Sequence, residues 1–148
     1  MLEQAGVMFD NMEAMMYRFK KKSYKERMEQ FREKNEAILS EMTGFVEQAE
    51  EQERDEAAAQ AAKALANAVE ARFAKRGKIS GRSQMDINLF MIYFVFPAIL
   101  LTQSEYAGRL ADAIRDEWRV HFKNSAQLSY TTYEEISGTF QEKFLGLF

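Results

Sequence analysis

Leu89-Phe-Met-Ile-Tyr-Phe-Val-Phe-Pro-Ala-Ile-Leu-Leu101 is a run of thirteen residues whose one polar side-chain group is the Tyr93 hydroxyl. As a helix it is about 20 Å long at ~1.5 Å per residue, short of a bilayer core of ~30 Å. Asp86 and Asn88 precede it, and Thr102, Gln103 and Glu105 follow it. A helix that is apolar all round and of this length belongs in a core. The expectation is a central helix wrapped by the other segments, with no transmembrane span.

The flanks give this helix its boundaries. Ser83 with Asp86 reads as its N-terminal capping box. Pro97 lacks an N–H and clashes with the preceding turn, which predicts a kink or a break. Thr102 with Glu105 reads as the next capping box, opening a helix to about Lys123 with a stripe of Ala107, Leu110, Ile114, Trp118 and His121. A last helix is expected from Thr131 or Thr132, bearing Tyr133, Ile136, Phe140, Phe144 and Leu147, with Phe148 at the end. Phe140, Phe144, Leu147 and Phe148 either seal the core or form a self-contact. Sealing is the preferred reading, and the four are also the candidate interface.

Upstream, Gly77-Lys-Ile-Ser-Gly-Arg-Ser83 is the clearest loop in the chain. It separates a polar half, 1–76, from an apolar, aromatic half, 84–148, within one domain spanning 1–148. Met8, Met12, Met15 and Phe19 form one helical stripe, extended backward by Ala5. Ser23 with Glu26 is a second capping box. From there Tyr24, Met28, Phe31, Asn35, Ile38, Met42, Phe45 and Ala49 alternate in steps of four and three, the seam of a coiled coil or antiparallel hairpin. Asn35 is its one polar member and can fix register. An acidic segment from Glu47 to Glu56 follows, with Arg54 its lone cation. Behind it runs an alanine-rich helix, Glu56 to Arg76, with Ala58, Ala62, Leu65, Val69 and Phe73 on one face and Gly77 as its stop.

Composition agrees with this reading. One proline, seven glycines and abundant Ala, Glu, Lys, Gln and Met favour helix, and no stretch alternates as a strand would. The expectation is an all-α bundle of five or six helices, with a long heptad-patterned hairpin and a buried apolar helix. At 148 residues the chain can bury roughly 68–70% of its unfolded surface without staples. It has no cysteine, which fits a reducing cytoplasm. Residues Met1 to Gly6 lack a basic stretch before an apolar core, so no signal peptide is expected. A net charge of −3 argues against a general polyanion binder.

Little in the sequence promises catalysis. Gly77-Lys-Ile-Ser is no phosphate loop: Arg72 stands where a glycine is required, Ile79 where a hydroxyl is required, and a helix precedes it. His121 is the one histidine, with Glu117 a turn before it and Asp116 nearby. That excludes a paired di-iron site, and His121 reads first as a half-buried structural residue. Gly-x-Ser-x-Gly does not occur. No cofactor, metal site or catalytic set is expected.

Two basic clusters stand out, Arg18 to Arg27 and Arg72 to Arg82. If the chain turns back near residues 51–54, arms of about 25 residues, roughly 38 Å, bring both to one end of the hairpin. Lys21, Lys22, Lys25, Arg72, Lys75 and Arg76 are therefore the candidate anion-binding patch. The leading functional expectation is a non-catalytic helical protein acting through protein–protein contact, with itself as one candidate partner. Binding of nucleic acid or anionic lipid through the patch comes second. An enzyme using dispersed carboxylates and His121 comes third.

Overall fold

The computed structural model describes residues 2–18 and 22–122 of the chain. Phe19, Lys20, Lys21 and the whole expected last helix, with Phe140, Phe144, Leu147 and Phe148, fall outside the described residues. Within them the fold is all-α. A 3-10 helix, Leu2–Phe9, and a π turn, Ala14–Arg18, form the N-terminal segment. Then come α1, Tyr24–Glu47, a 3-10 turn, Glu51–Glu53, and α2, Arg54–Phe73. The apolar helix is continuous from Gly81 to Leu100. It consists of α3, Gly81–Phe90, a π turn, Met91–Val95, and α4, Phe96–Leu100. The last described helix is α5, Ala107–His121.

The chain reverses between the seam helix and the alanine-rich helix, so the expected hairpin forms. Ser23 caps α1, its Oγ accepting the Glu26 N–H at 3.1 Å. The Gln48 N–H closes the far end on Gly44 O, and the chain reverses before α2. α2 starts at Arg54, so Asp55 lies in its first turn. Asp55 and Glu56 there complement the positive end of the helix dipole.

α1 departs from the strict heptad seam. Met28, Phe31 and Asn35 are buried as expected, but the stripe continues as Leu39, Met42, Thr43 and Val46, leaving Ile38 and Phe45 half-buried. The cause lies at Asn35, whose backbone is non-helical at φ −112°, ψ 15° and whose amide donates to Phe31 O at 2.9 Å. That back-bond bends the helix and re-aims the face behind it.

Most of the packing converges on α2, which lies against α5, the N-terminal 3-10 helix and α1. Ala57, Ala58, Ala61, Ala62, Leu65, Ala66 and Val69 are all buried. Five alanines on that face let neighbouring backbones come close. At Gly6 of the N-terminal helix, a Cβ would lie 2.9 Å from Ala68 Cβ and 2.5 Å from Arg72 Nη1. The apolar helix is buried as expected along Phe90, Met91 and Phe94 to Ile99, whereas Met85 and Tyr93 are exposed. Beneath it Phe9, Phe31, Phe90 and Phe94 form a ring cluster with centroids 5.2–5.8 Å apart.

Three boundaries differ from the sequence reading. α2 ends at Phe73, because Ala74 is extended and Lys75–Lys78 closes a tight turn. Lys75 and Lys78 exchange backbone bonds of 2.7 and 3.1 Å, with Arg76 at φ 55° and Gly77 at φ 78°. Left-handed backbone at both central residues is the two-residue hairpin turn, and glycine takes the second place without strain. The apolar helix is capped by Ser80, whose Oγ accepts the Ser83 N–H at 3.2 Å, so it starts before the expected Ser83–Asp86 box. Thr102 donates to Ile99 O at 2.7 Å and closes α4 instead of opening α5.

The helix runs on through Pro97 without a break, and a π turn just before the proline accommodates its ring. The Phe96 N–H reaches back to Met91 O, five residues away, which widens the turn ahead of the ring. Pro97 has no N–H for the carbonyl of Tyr93, four residues earlier. The Tyr24 hydroxyl, from α1, donates to that carbonyl. Burial, and then the neighbouring Tyr93, push the Tyr24 phenol well above the ordinary tyrosine range, with the Arg27 cation opposing. Folding thus favours the protonated phenol. Its contribution is complete below pH about 10 and fades as the pH rises above that. Tyr24→Phe is expected to cost about 1–3 kcal/mol at neutral pH, by orphaning the carbonyl, and to flatten the alkaline limb of stability. In a Pro97→Ala background the restored N–H serves Tyr93, and urea unfolding shows a smaller Tyr24→Phe cost.

Candidate functional site

Of the candidate anion patch, Lys21 lies outside the described residues and the other five are divided among separate elements. Lys22 Nζ donates to Gln30 Oε1 at 3.2 Å, and Lys25 lies in the first turn of α1. Arg72 faces the N-terminal segment, its Nε 2.9 Å from Asp10 Oδ1, so it buttresses the contact at Gly6. Lys75 and Arg76 are exposed in the tight turn, together with Lys78, and Arg82 is exposed in the first turn of α3. Lys75, Arg76 and Lys78 thus share one turn, and Arg82 follows it along the chain at the start of the apolar helix. Between α1 and the end of α2, the rings of Tyr24, Phe94, Phe90, Phe9 and Phe73 follow one another at 5.2–6.2 Å.

His121 is more tightly held than its own helix implies. Its Nε2 lies 2.5 Å from Glu70 Oε2 on α2, and its Nδ1 lies 3.8 Å from Glu117 Oε1. Glu117 was legible as a neighbour one turn away; Glu70, 51 residues earlier, was not. The trio ties α2 to α5 where α5 ends. Among the described residues no group of three or more His, Cys, Asp or Glu side chains is arranged to hold a metal ion. His121→Ala is expected to cost about 1–2 kcal/mol by urea unfolding, with Glu70→Gln milder because it keeps an acceptor.

The surface feature that sequence reasoning missed is the outer side of the apolar helix. Met85 is 53% exposed and Tyr93 48%, and Leu89 and Ile92 between them are half-buried. The spacing 85, 89, 92, 93 is one helical face, and Ile87, Phe90, Met91, Phe94 and Val95 line the opposite, buried side. Tyr17 lies against the same helix, its hydroxyl donating to Asp86 Oδ1 at 2.6 Å. That bond holds the Tyr17 phenol above its ordinary value. Of the five large exposed hydrophobic residues described, three cluster here; Val7 and Val120 stand elsewhere. Tyr93, the one polar side chain in the thirteen-residue run, was the available signal for an outward side.

The two ends of this helix differ in charge. At its N-terminal end stand Lys75, Arg76, Lys78 and Arg82, with Asp86 the nearest acid along the helix. At its C-terminal end an open cleft of about 740 Å³ runs between α1 and residues 98–104. Glu29, Glu33, Glu36 and Glu47 line it from α1, and Ala98 and Leu101 lie along the other side. Arg32, also in the wall, donates from Nη2 to Leu101 O at 3.4 Å. The arrangement offers contact chemistry: an apolar stripe flanked by a basic end and an acidic end. No family model matches the chain, and comparison with curated proteins and with solved structures returns no match.

Proposed function

We propose that the protein is a non-catalytic helical protein that works by protein–protein contact through the outer side of its apolar helix. The observation that supports this is the exposure of Met85 and Tyr93 on the most apolar helix of the chain, flanked by half-buried Leu89 and Ile92. Lone surface hydrophobics are ordinary, whereas a rimmed apolar stripe marks a contact surface. The reducing compartment expected of a cysteine-free chain, the cytoplasm, is part of the same proposal.

The test is the rate of Met85 oxidation by dilute peroxide, read by peptide mass spectrometry. Protection by at least about fivefold in native extract, relative to dilute purified protein, is expected if a protein covers the stripe. Equal rates in both would defeat the reading.

Binding to an anionic surface, nucleic acid or lipid, is the second reading, favoured by Lys75, Arg76 and Lys78 in one tight turn with Arg82 following it along the chain. Its test is polyanion affinity at low salt, expected to vanish when these four become Gln. Arg72 is left intact because it holds Asp10.

A further inference from the structure

We infer that the partner on this stripe is a second copy of the chain, packed antiparallel across a two-fold axis at Leu89. This rests on the stripe being a contact surface, and it adds the occupant and its orientation. Met85 and Tyr93 each lie four residues from Leu89. An antiparallel crossing at Leu89 therefore sets each Met85 against the second copy's Tyr93, thioether against ring, twice over. Leu89 meets its own symmetry mate.

Charge selects this orientation. Antiparallel pairing carries the basic end of one helix, with Lys75, Arg76, Lys78 and Arg82, toward the acidic end of the other, with Glu29, Glu33 and Glu36. The two-fold axis makes that match at both ends. A parallel pair would place cations on cations and carboxylates on carboxylates, and would align the two helix dipoles unfavourably. The apolar stripe is short, so the charged ends contribute a substantial share of the affinity. The dimer is accordingly sensitive to salt.

The experiment uses the full chain, whose lack of cysteine gives a clean background for single thiols. Leu89→Cys is expected to form a disulfide dimer under mild oxidation, since only a residue near the axis brings its two copies within bonding reach. Met85→Cys alone and Tyr93→Cys alone are expected to stay monomeric, and a mixture of the two to cross-link. In sedimentation equilibrium of the wild type, raising ionic strength to about 0.5 M is expected to weaken the dimer roughly tenfold. Glu29→Lys with Glu33→Lys is expected to weaken it similarly, and adding Lys78→Glu with Arg82→Glu to restore it. Self-cross-linking of both end variants would overturn the antiparallel geometry. A wild type that is monomeric at every concentration would overturn the dimer. If Met85 is nonetheless shielded in extract, the contact reading survives with another protein as partner; if it is not shielded, both fall.

Discussion

Trp118→Ala is expected to lower the unfolding free energy by about 3–5 kcal/mol, followed by circular dichroism in urea. The indole is fully buried on the inner stripe of α5 with Leu110 and Ile114, and its ring lies 4.9 Å from that of Phe122. α5 packs chiefly on α2, whose buried face is mostly alanine and so has few side chains able to refill so large a hole. A domain this size has about 5–15 kcal/mol in total, so the variant stands near the unfolding threshold. Trp118→Phe separates volume from polarity. The indole Nε1 is buried with no hydrogen-bond partner, and phenylalanine removes that orphan donor while keeping most of the ring. Its expected cost is less than half that of alanine. Tryptophan fluorescence cannot follow either variant, since Trp118 is the sole tryptophan.

Ala62→Leu is expected to cost about 1–3 kcal/mol or more, the opposite error at the same interface. Ala62 is fully buried on the face where α2 meets its neighbours. Added methylenes must push a helix outward or force a poor rotamer. Ala59→Leu, on the exposed side of the same helix, is the control. It is expected within about 0.5 kcal/mol of the wild type. If both substitutions were equally mild, α2 would not be the tightly packed hub described above.

That hub shows where the sequence was legible. The all-α class, the hairpin and the buried stripe of α5 follow from periodicity and composition. The Ser23 cap and the burial of most of Leu89–Leu101 are local or apolar signals of the same kind. The hub itself was not legible, because alanines contribute little hydropathy and their effect is to admit close neighbours. Asn35 showed its polarity in the sequence but not its back-bond to Phe31, which moved the buried stripe of α1 from Ile38 to Leu39. Ser80 competed with Ser83 for one cap, and the turn at Arg76–Gly77 brought the start of the helix forward. Of the candidate patch, Lys75 and Arg76 could be grouped from their spacing. The diversion of Arg72 to Asp10 depends on a contact 62 residues away. Glu70 on His121 is invisible for the same reason. An apolar run has no periodicity to say which side faces outward, so the stripe from Met85 to Tyr93 needed the fold.

The most direct test of this account is the unfolding free energy of a Met85→Ser, Tyr93→Ser double variant, measured by urea denaturation in dilute solution where association adds nothing. Both residues are half open to solvent, and the loss of the Tyr93 ring beside Tyr24 at 6.4 Å is the largest penalty foreseen. The account predicts a value within about 1.5 kcal/mol of the wild type, with any self-association abolished. A loss above about 3 kcal/mol, on the scale of Trp118→Ala, would mean that this side of the helix is core and would contradict the contact surface.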